Sequence, residues 1–180
     1  MATLEVTDSP EQLAALERGW KRLPGDAAIG VFLASLQERK GNVDESIRVY
    51  ESMLEKTPGS PLAANNLAAL LLDHRDDKAS HARALALVKP LAASGDPITL
   101  DTLGWAHYRN GDYPNAVREL ERAVAVDAGN PVLQYHLGMS YAAALNTVGA
   151  RQHLKRALDL GGEAAAFAAD ARSTLKTLDN

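Results

Sequence analysis

Histidine and aspartate residues lie close together in one short segment, a combination that can ligate metals or move protons. His74, Asp76, Asp77 and His81 fall within eight positions. Imidazole and carboxylate groups are common ligands of zinc and iron. The segment has neither the HExxH spacing of a helical zinc site nor the spacing of a calcium-binding EF-hand loop. We therefore expect a polar turn here, and we predict no metal and no cofactor for this chain.

The letters HRDDK in this segment also invite comparison with the catalytic loop of a protein kinase. That loop needs an asparagine five residues after the aspartate, a glycine-rich loop and a phosphate-positioning lysine, and the sequence has none of these. No serine or threonine has a recognisable base and orienting acid, although a triad assembled only in space would escape a reading of the sequence. We predict that the protein is not an enzyme.

Aromatic residues form a second candidate group. The chain has 2 Trp, 5 Tyr and 2 Phe, and three of these rings, Trp105, Tyr108 and Tyr113, fall within nine positions. Such rings can stack on nucleic-acid bases, but that mode of binding also needs a basic groove for the phosphates. The net charge is −4 and the sequence pI is about 5.7, so we predict no nucleic-acid partner. The remaining question is whether the rings form a binding surface or fill space between helices.

Composition favours an all-α fold. Apolar residues make up 46 % of the chain and are mostly alanine and leucine, which prefer helices to strands. No apolar run approaches the ~18 residues of a membrane helix, so we predict no direct membrane insertion. The first residues, MATLEVTDSPEQ, lack the charged and apolar regions of a signal peptide, so we expect a soluble chain without a signal.

Short dipeptides mark an internal repeat. In each, a capping residue precedes a proline: the cap oxygen accepts a bond from a free backbone N–H, and proline has no N–H to lose. Six residues after each proline, a leucine precedes a small residue, which lets two helices approach closely. The dipeptides are Ser60-Pro61, Asp96-Pro97 and Asn130-Pro131, at spacings of 36 and 34 residues.

A second helical pattern follows the first within each repeat. Ala116, Leu120 and Ala123 have the i, i+4, i+7 spacing of one helix face, and the same pattern recurs 34 residues later. Gly111 lies between the two patterns of its unit, where glycine tolerates the left-handed conformation of a turn. Each unit is therefore helix, turn, helix, turn, and neither helix can bury its apolar stripe unless the units stack.

These units resemble tetratricopeptide repeats (TPRs). The segment LGWAHYRNGDYPNAVRELERA (103–123) follows the family pattern of Leu-Gly, an aromatic-type slot, Gly-Asp-Tyr and a spaced alanine pair. The segments 137–157 and 33–53 follow it more loosely. The resemblance covers about four repeats, roughly residues 27–162. It implies an all-α, right-handed α-solenoid of helix-turn-helix repeats with N- and C-terminal capping helices.

We predict a single array over residues 1–180 with ten helices. The unit at 61–96 is irregular, because its turn holds an insertion and Pro90 should end or kink its second helix; the register between Ala82 and Ala84 stays open. The predicted segments are a half-repeat helix at 10–24, repeats at 27–60, 61–96, 97–130 and 131–162, and a capping helix at 163–178.

A stripe on the first helix of each unit is the candidate binding site. Asp101, Trp105 and Tyr108 lie about a quarter-turn from the packing face, by ~100° per residue. The TPR resemblance implies that this stripe lines a concave groove, in which amides bond a peptide and aromatic rings supply contact area. The alternative is that Trp105 only fills space between neighbouring first helices. The predicted groove residues are Asn65, Asn66, Asp101, Trp105, Tyr108, Tyr135, His136 and Met139.

We expect a non-catalytic protein-protein interaction module that binds a peptide or helix segment of unknown identity. The alternative is a structural spacer, for which the sequence offers a narrower resemblance to the C-terminal repeats of bacterial exosortase-associated TPR lipoproteins. On that reading the chain is a periplasmic fragment; otherwise it is cytoplasmic. We expect a monomer, with a weak homodimer through the ends as the alternative. The cationic clamp of chaperone-adaptor TPRs is missing from its slots, so no chaperone tail is predicted.

Overall fold

The computed structural model describes residues 9–179, and within that range it holds ten α-helices and no strand. The all-α prediction is confirmed. The signal-peptide expectation concerns residues 1–12, most of which lie outside the described range. The helices are α1 Pro10–Arg22, α2 Ala27–Arg39, α3 Val43–Lys56, α4 Pro61–His74, α5 Lys78–Val88, α6 Pro97–Arg109, α7 Tyr113–Val126, α8 Pro131–Ala143, α9 Thr147–Gly161 and α10 Ala168–Leu178.

The three capping dipeptides start helices as the sequence predicts. The Ser60 hydroxyl accepts from the backbone N–H of Ala63 at 3.3 Å, and the Asp96 carboxylate accepts from Thr99 at 2.8 Å. Asn130 caps α8 in the same way. Each side chain satisfies one of the backbone donors that a helix leaves unpaired at its start.

The contacts divide the chain into two compact units between Arg75 and Asp76. In the first unit α1 packs on α2, α2 on α3 and α3 on α4; in the second, α5 packs on α6 and successive helices then pack on one another through α10. The division falls inside the predicted irregular repeat 61–96, and the repeat boundaries themselves stay a prediction.

Leucines and small residues fill the core of the second unit. Leu103, Leu120 and Leu137 are almost completely buried. A Cβ added to Gly104 would lie 2.5 Å from Leu120 Cγ, so this position accepts no side chain and α6 approaches α7 closely. The Leu-small pair thus sets the distance between the two helices of its unit.

Two elements differ in length from a regular repeat. Helix α5 ends at Val88, and a 3₁₀ segment, Lys89–Ser94, follows it to Gly95 at φ 70°. This break surrounds Pro90, which lacks the N–H an α-helix needs. The last helix begins at Ala168, later than the predicted Glu163, since residues 163–167 form turns.

The turn between α8 and α9 has a leucine where the corresponding turns have glycine. Gly41 and Gly111 end the corresponding turns with φ values of 79° and 80°, whereas Leu145 takes φ 61° in the fourth repeat. A left-handed leucine costs roughly 1–2 kcal/mol. Its side chain is 87 % exposed, so packing contacts do not offset this energetic cost.

Candidate partner-binding surface

Six of the eight predicted groove residues lie on α6 and α8, which contact each other in the second unit. All six are half-buried rather than fully exposed. The other two, Asn65 and Asn66, lie on α4 in the first unit. The six are Asp101, Trp105 and Tyr108 on α6, and Tyr135, His136 and Met139 on α8.

The Trp105 indole is stacked between two rings. Its centroid lies 4.4 Å from that of Tyr108, with an interplanar angle of 5°, and 4.1 Å from that of His136, at 15°. Two nearly parallel rings so close to one indole would overlap if they shared a face, so they cover opposite faces. What Trp105 offers to a partner is therefore the edge of its ring.

Hydrogen bonding fixes His136 in this stack. Its Nδ1 lies 2.7 Å from Asp101 Oδ1, and both side chains are less than one-fifth exposed. The carboxylate on α6 orients the imidazole on α8, and the imidazole in turn stacks on Trp105. Asp101, Trp105 and His136 thus join the two first helices of adjacent repeats.

The C-terminal segment covers part of α8. The Tyr135 ring stacks on Phe167 at 4.9 Å, and its hydroxyl donates to Asp170 Oδ2 at 2.5 Å. Burial, reinforced by the bond to this carboxylate, raises the pKa of Tyr135 well above its usual range. Thr174 on α10 also contacts the sulfur of Met139. Phe167 and Asp170 were not among the predicted residues.

These contacts repeat along the second unit at one sequence separation. Asp101 meets His136, Tyr135 meets Asp170 and Met139 meets Thr174, each pair 35 residues apart. The stripe therefore forms a ladder of contacts from α6 through α8 to α10. The rings remain half-buried, so their edges also form surface.

The first unit has a cavity of about 310 Å³ over the predicted residue Asn66. Asn65 is buried beside it in sequence, and its side-chain oxygen has no hydrogen-bond partner within the described chain. The cavity is lined by Val31, Ser35, Glu38, Tyr50, Asn66, Ala69, Leu70 and Asp73.

Tyr50 lines this cavity and was absent from the predicted set. It is 4 % exposed, and the polar side chains of Ser35 and Asn66 line the same cavity. Burial raises its pKa, and the nearby Glu38 charge adds to that shift. The sequence contained a signal that sets Tyr50 apart, because the same position holds leucine in later repeats, such as Leu120.

His153 on α9 is half-buried. Its Nδ1 donates to Gln134 Oε1 at 2.7 Å, and its ring stacks against Tyr141. Burial lowers the pKa of His153, against a smaller opposite effect of Glu121. The partner Gln134 is 4 % exposed, so the pair is part of the packing between α8 and α9.

The histidines of the first candidate segment take part in separate contacts. His74 Nε2 lies 3.0 Å from Glu38 Oε1, whereas His81 Nε2 lies 2.9 Å from Arg109, which also binds Asp76 at 2.8 Å. Between residues 9 and 179, no group of three or more His, Asp or Glu side chains has the arrangement of a metal site. Nor is any helix in that range long and apolar enough to cross a bilayer.

Sequence profiles of the tetratricopeptide repeat match residues 28–62 and 102–172, together more than half of the chain. The chain belongs to the tetratricopeptide repeat family. A TPR repeat-containing protein of Pseudomonas aeruginosa is 28 % identical over 110 residues. That match takes in 61 % of this chain but only 18 % of the relative, so the chain spans less than a fifth of that protein's length.

Solved TPR proteins share the fold. A thermophilic TPR protein of Thermus thermophilus superposes with a TM-score of 0.71 at 19 % identity, covering 91 % of this chain and 89 % of its own. MamA of Desulfovibrio magneticus gives 0.68 at 19 % identity, covering 83 % and 84 %. A Parabacteroides merdae TPR protein gives 0.68 at 14 %, covering 93 % and 65 %. The TPR fold indicates a protein-interaction or scaffold role.

Proposed function

We propose that this TPR chain is a non-catalytic interaction module that binds an extended or helical segment of another protein along the stripe of its first helices. The observation that carries the proposal is the half-buried ladder on α6 and α8. In the second unit, its ring edges offer apolar contact area. In the first unit, the cavity over Asn66 offers directional hydrogen bonds. Interfaces built in this way concentrate binding energy in a few aromatic residues.

The ladder also preorganises this surface. Trp105 is fixed by stacking on both faces, and Tyr135 is fixed by Phe167 and Asp170. A surface whose side chains are already ordered loses little conformational entropy when a partner binds. Rings that would be mobile elsewhere can therefore serve as rigid contact points here.

Site-specific photo-crosslinking tests the proposal. A benzoylphenylalanine replaces Tyr108 in the ladder or Ala69 in the cavity, and, as the matched control, the exposed Gln152 on α9. We expect partner crosslinks in lysate from the first two positions and not from the third. Crosslinks from Gln152 alone would move the binding site off the stripe and reject the proposal.

A structural spacer is the second candidate function. The ladder contacts are satisfied within the chain, and the chain matches only 18 % of its Pseudomonas relative, as a segment of a larger scaffold would. The resemblance to exosortase-associated lipoproteins belongs to this candidate. A spacer gives no specific crosslink from any of the three positions, although circular dichroism shows each labelled chain to be fully helical.

A further inference from the structure

The Tyr50 hydroxyl is a polar group at a core position that later repeats fill with leucine. Tyr50 occupies the position on its second helix that Leu120 and Leu154 occupy in later repeats, and those leucines are completely buried without any polar atom. An aliphatic side chain therefore suffices for packing at this position. Burying a hydroxyl costs free energy unless it is hydrogen-bonded, yet the first repeat places one beneath a cavity.

Polar side chains from two further helices line the cavity together with Tyr50. They are Ser35 on α2 and Asn66 on α4. Hydroxyl and amide groups can each donate and accept, so this end of the cavity can satisfy a donor brought in by a ligand.

The charge of the cavity lining is negative. Glu38 and Asp73 are its two ionisable acids, and no lysine or arginine is among the eight lining residues. Asp73 has a further interaction of its own. The Glu38 Oε1 atom accepts a hydrogen bond from His74 Nε2 at 3.0 Å. Burial raises the pKa of Tyr50, and the charge of Glu38 adds to that shift.

Apolar side chains complete the wall. Val31 and Ala69 line the cavity together with Leu70, so a ligand side chain would pass apolar groups on its way to the polar end. Lysine and arginine combine an apolar stem with a charged, donor-only head group. Glutamate and aspartate side chains would instead meet a carboxylate of the same sign.

We propose that the cavity between α2 and α4 receives a lysine or arginine side chain of the bound segment, with the head group near the side chains of Glu38, Tyr50 and Asn66. This inference rests on the proposed function, because it names the chemistry of the partner that the stripe binds. It assigns the first unit a preference for basic segments.

Titration of the isotope-labelled full chain with small probes tests the assignment. The probe is Nα-acetyl-lysine methylamide, and its matched control is Nα-acetyl-norleucine methylamide, which has the same stem without the charge. We expect saturable amide shifts around Ser35, Glu38 and Asn66 with the lysine probe. Binding of the norleucine probe should be about fivefold weaker or more, as loss of a partly exposed ion pair implies.

Two variants separate the pocket from general surface charge. Glu38→Gln should weaken lysine-probe binding by about fivefold, whereas Glu45→Gln removes the same charge from α3, outside the cavity lining, and should leave binding unchanged. Tyr50→Phe keeps the ring and should also weaken the lysine probe. Equal binding of the two probes, unchanged binding in Glu38→Gln or the absence of saturable shifts would overturn the assignment.

The outcomes distinguish this assignment from the proposed function. If Ala69 crosslinks a partner but the lysine probe shows no charge preference, the stripe binds proteins and the cavity does not select a basic side chain. If the lysine probe binds as expected and no position crosslinks a partner, the cavity assignment stands while the proposed function fails.

Discussion

Ser46 is a completely buried hydroxyl without a hydrogen-bond partner in the described chain. Later repeats have Ala116 and Ala150 at the same position, also completely buried. We expect Ser46→Ala to raise the free energy of unfolding by about 1 kcal/mol, because it removes an unsatisfied polar group and replaces serine with a better helix former. Urea denaturation measures this change.

Ser52→Ala is the matched control on the same helix, at a partly exposed position. It should give only the small gain from helix propensity. A destabilised Ser46→Ala protein would show that the hydroxyl has a partner after all, such as an internal water.

His153 should make the chain sensitive to mild acid. Burial lowers its pKa from the ordinary value of 6.5, so the folded state favours the neutral ring. This contribution to stability is fully present above that ordinary value and is lost as the pH falls through the lowered pKa. We expect His153→Gln to lose less stability than wild type between about pH 8 and about pH 5, measured by denaturation at each pH. Equal losses in both proteins would place the acid sensitivity elsewhere.

At the scale of single elements, the glycines of the first helices set how closely paired helices approach. A Cβ at Gly138 would lie 2.7 Å from Leu154 Cγ and 2.9 Å from the Leu154 backbone nitrogen. Because backbone atoms cannot rotate away, we expect Gly138→Ala to cost roughly 1–3 kcal/mol, despite a propensity gain of about 1 kcal/mol. Thermal and urea unfolding measure the loss.

Gly19 on α1 provides the control for that substitution. Its added Cβ would meet only Ile29, at 3.4 Å, an ordinary contact distance. Gly19→Ala should therefore be neutral or stabilising by up to about 1 kcal/mol. If both alanine variants were equally destabilised, close approach would not be the reason for the glycine in α8.

Local signals account for most of the elements. Cap-proline pairs such as Asp96-Pro97 determine helix starts through bonds within three residues, and the sequence shows them directly. The start of α10 is different: the alanine-rich run from Glu163 favours a helix, yet Phe167 leaves that run to stack on Tyr135. A contact between residues 32 positions apart overrides propensity there, and no local pattern predicts it.

Only part of the candidate surface could be predicted from the sequence. Periodicity correctly put Trp105 and His136 on neighbouring helices, because stripe positions follow from the helix period. It could not show that Tyr108 and His136 cover both faces of Trp105, since ring orientation depends on side-chain rotamers. The predicted groove role of these residues stays a prediction.

At the scale of the whole molecule, we expect each of the two compact units to have its own stability against local unfolding. Repeat proteins are stabilised mainly by contacts between neighbouring elements, and regions with separate contacts open separately. We expect Gly138→Ala to speed amide exchange in the helices of residues 76–179 and to leave α2 and α3 nearly unchanged. Native-state hydrogen exchange measures both. An equal response throughout would show that the chain unfolds as one cooperative unit.

The two tryptophans of the chain are Trp20 and Trp105, and each compact unit holds one of them. The surroundings of the two indoles differ: Trp20 lines a surface cavity with Glu17 and Lys21, while Trp105 is sandwiched between two rings. The protein therefore carries a natural optical reporter in each half. With Trp20→Phe, tryptophan fluorescence follows only the second unit, and with Trp105→Phe only the first, so the unfolding of each half can be observed without any attached label.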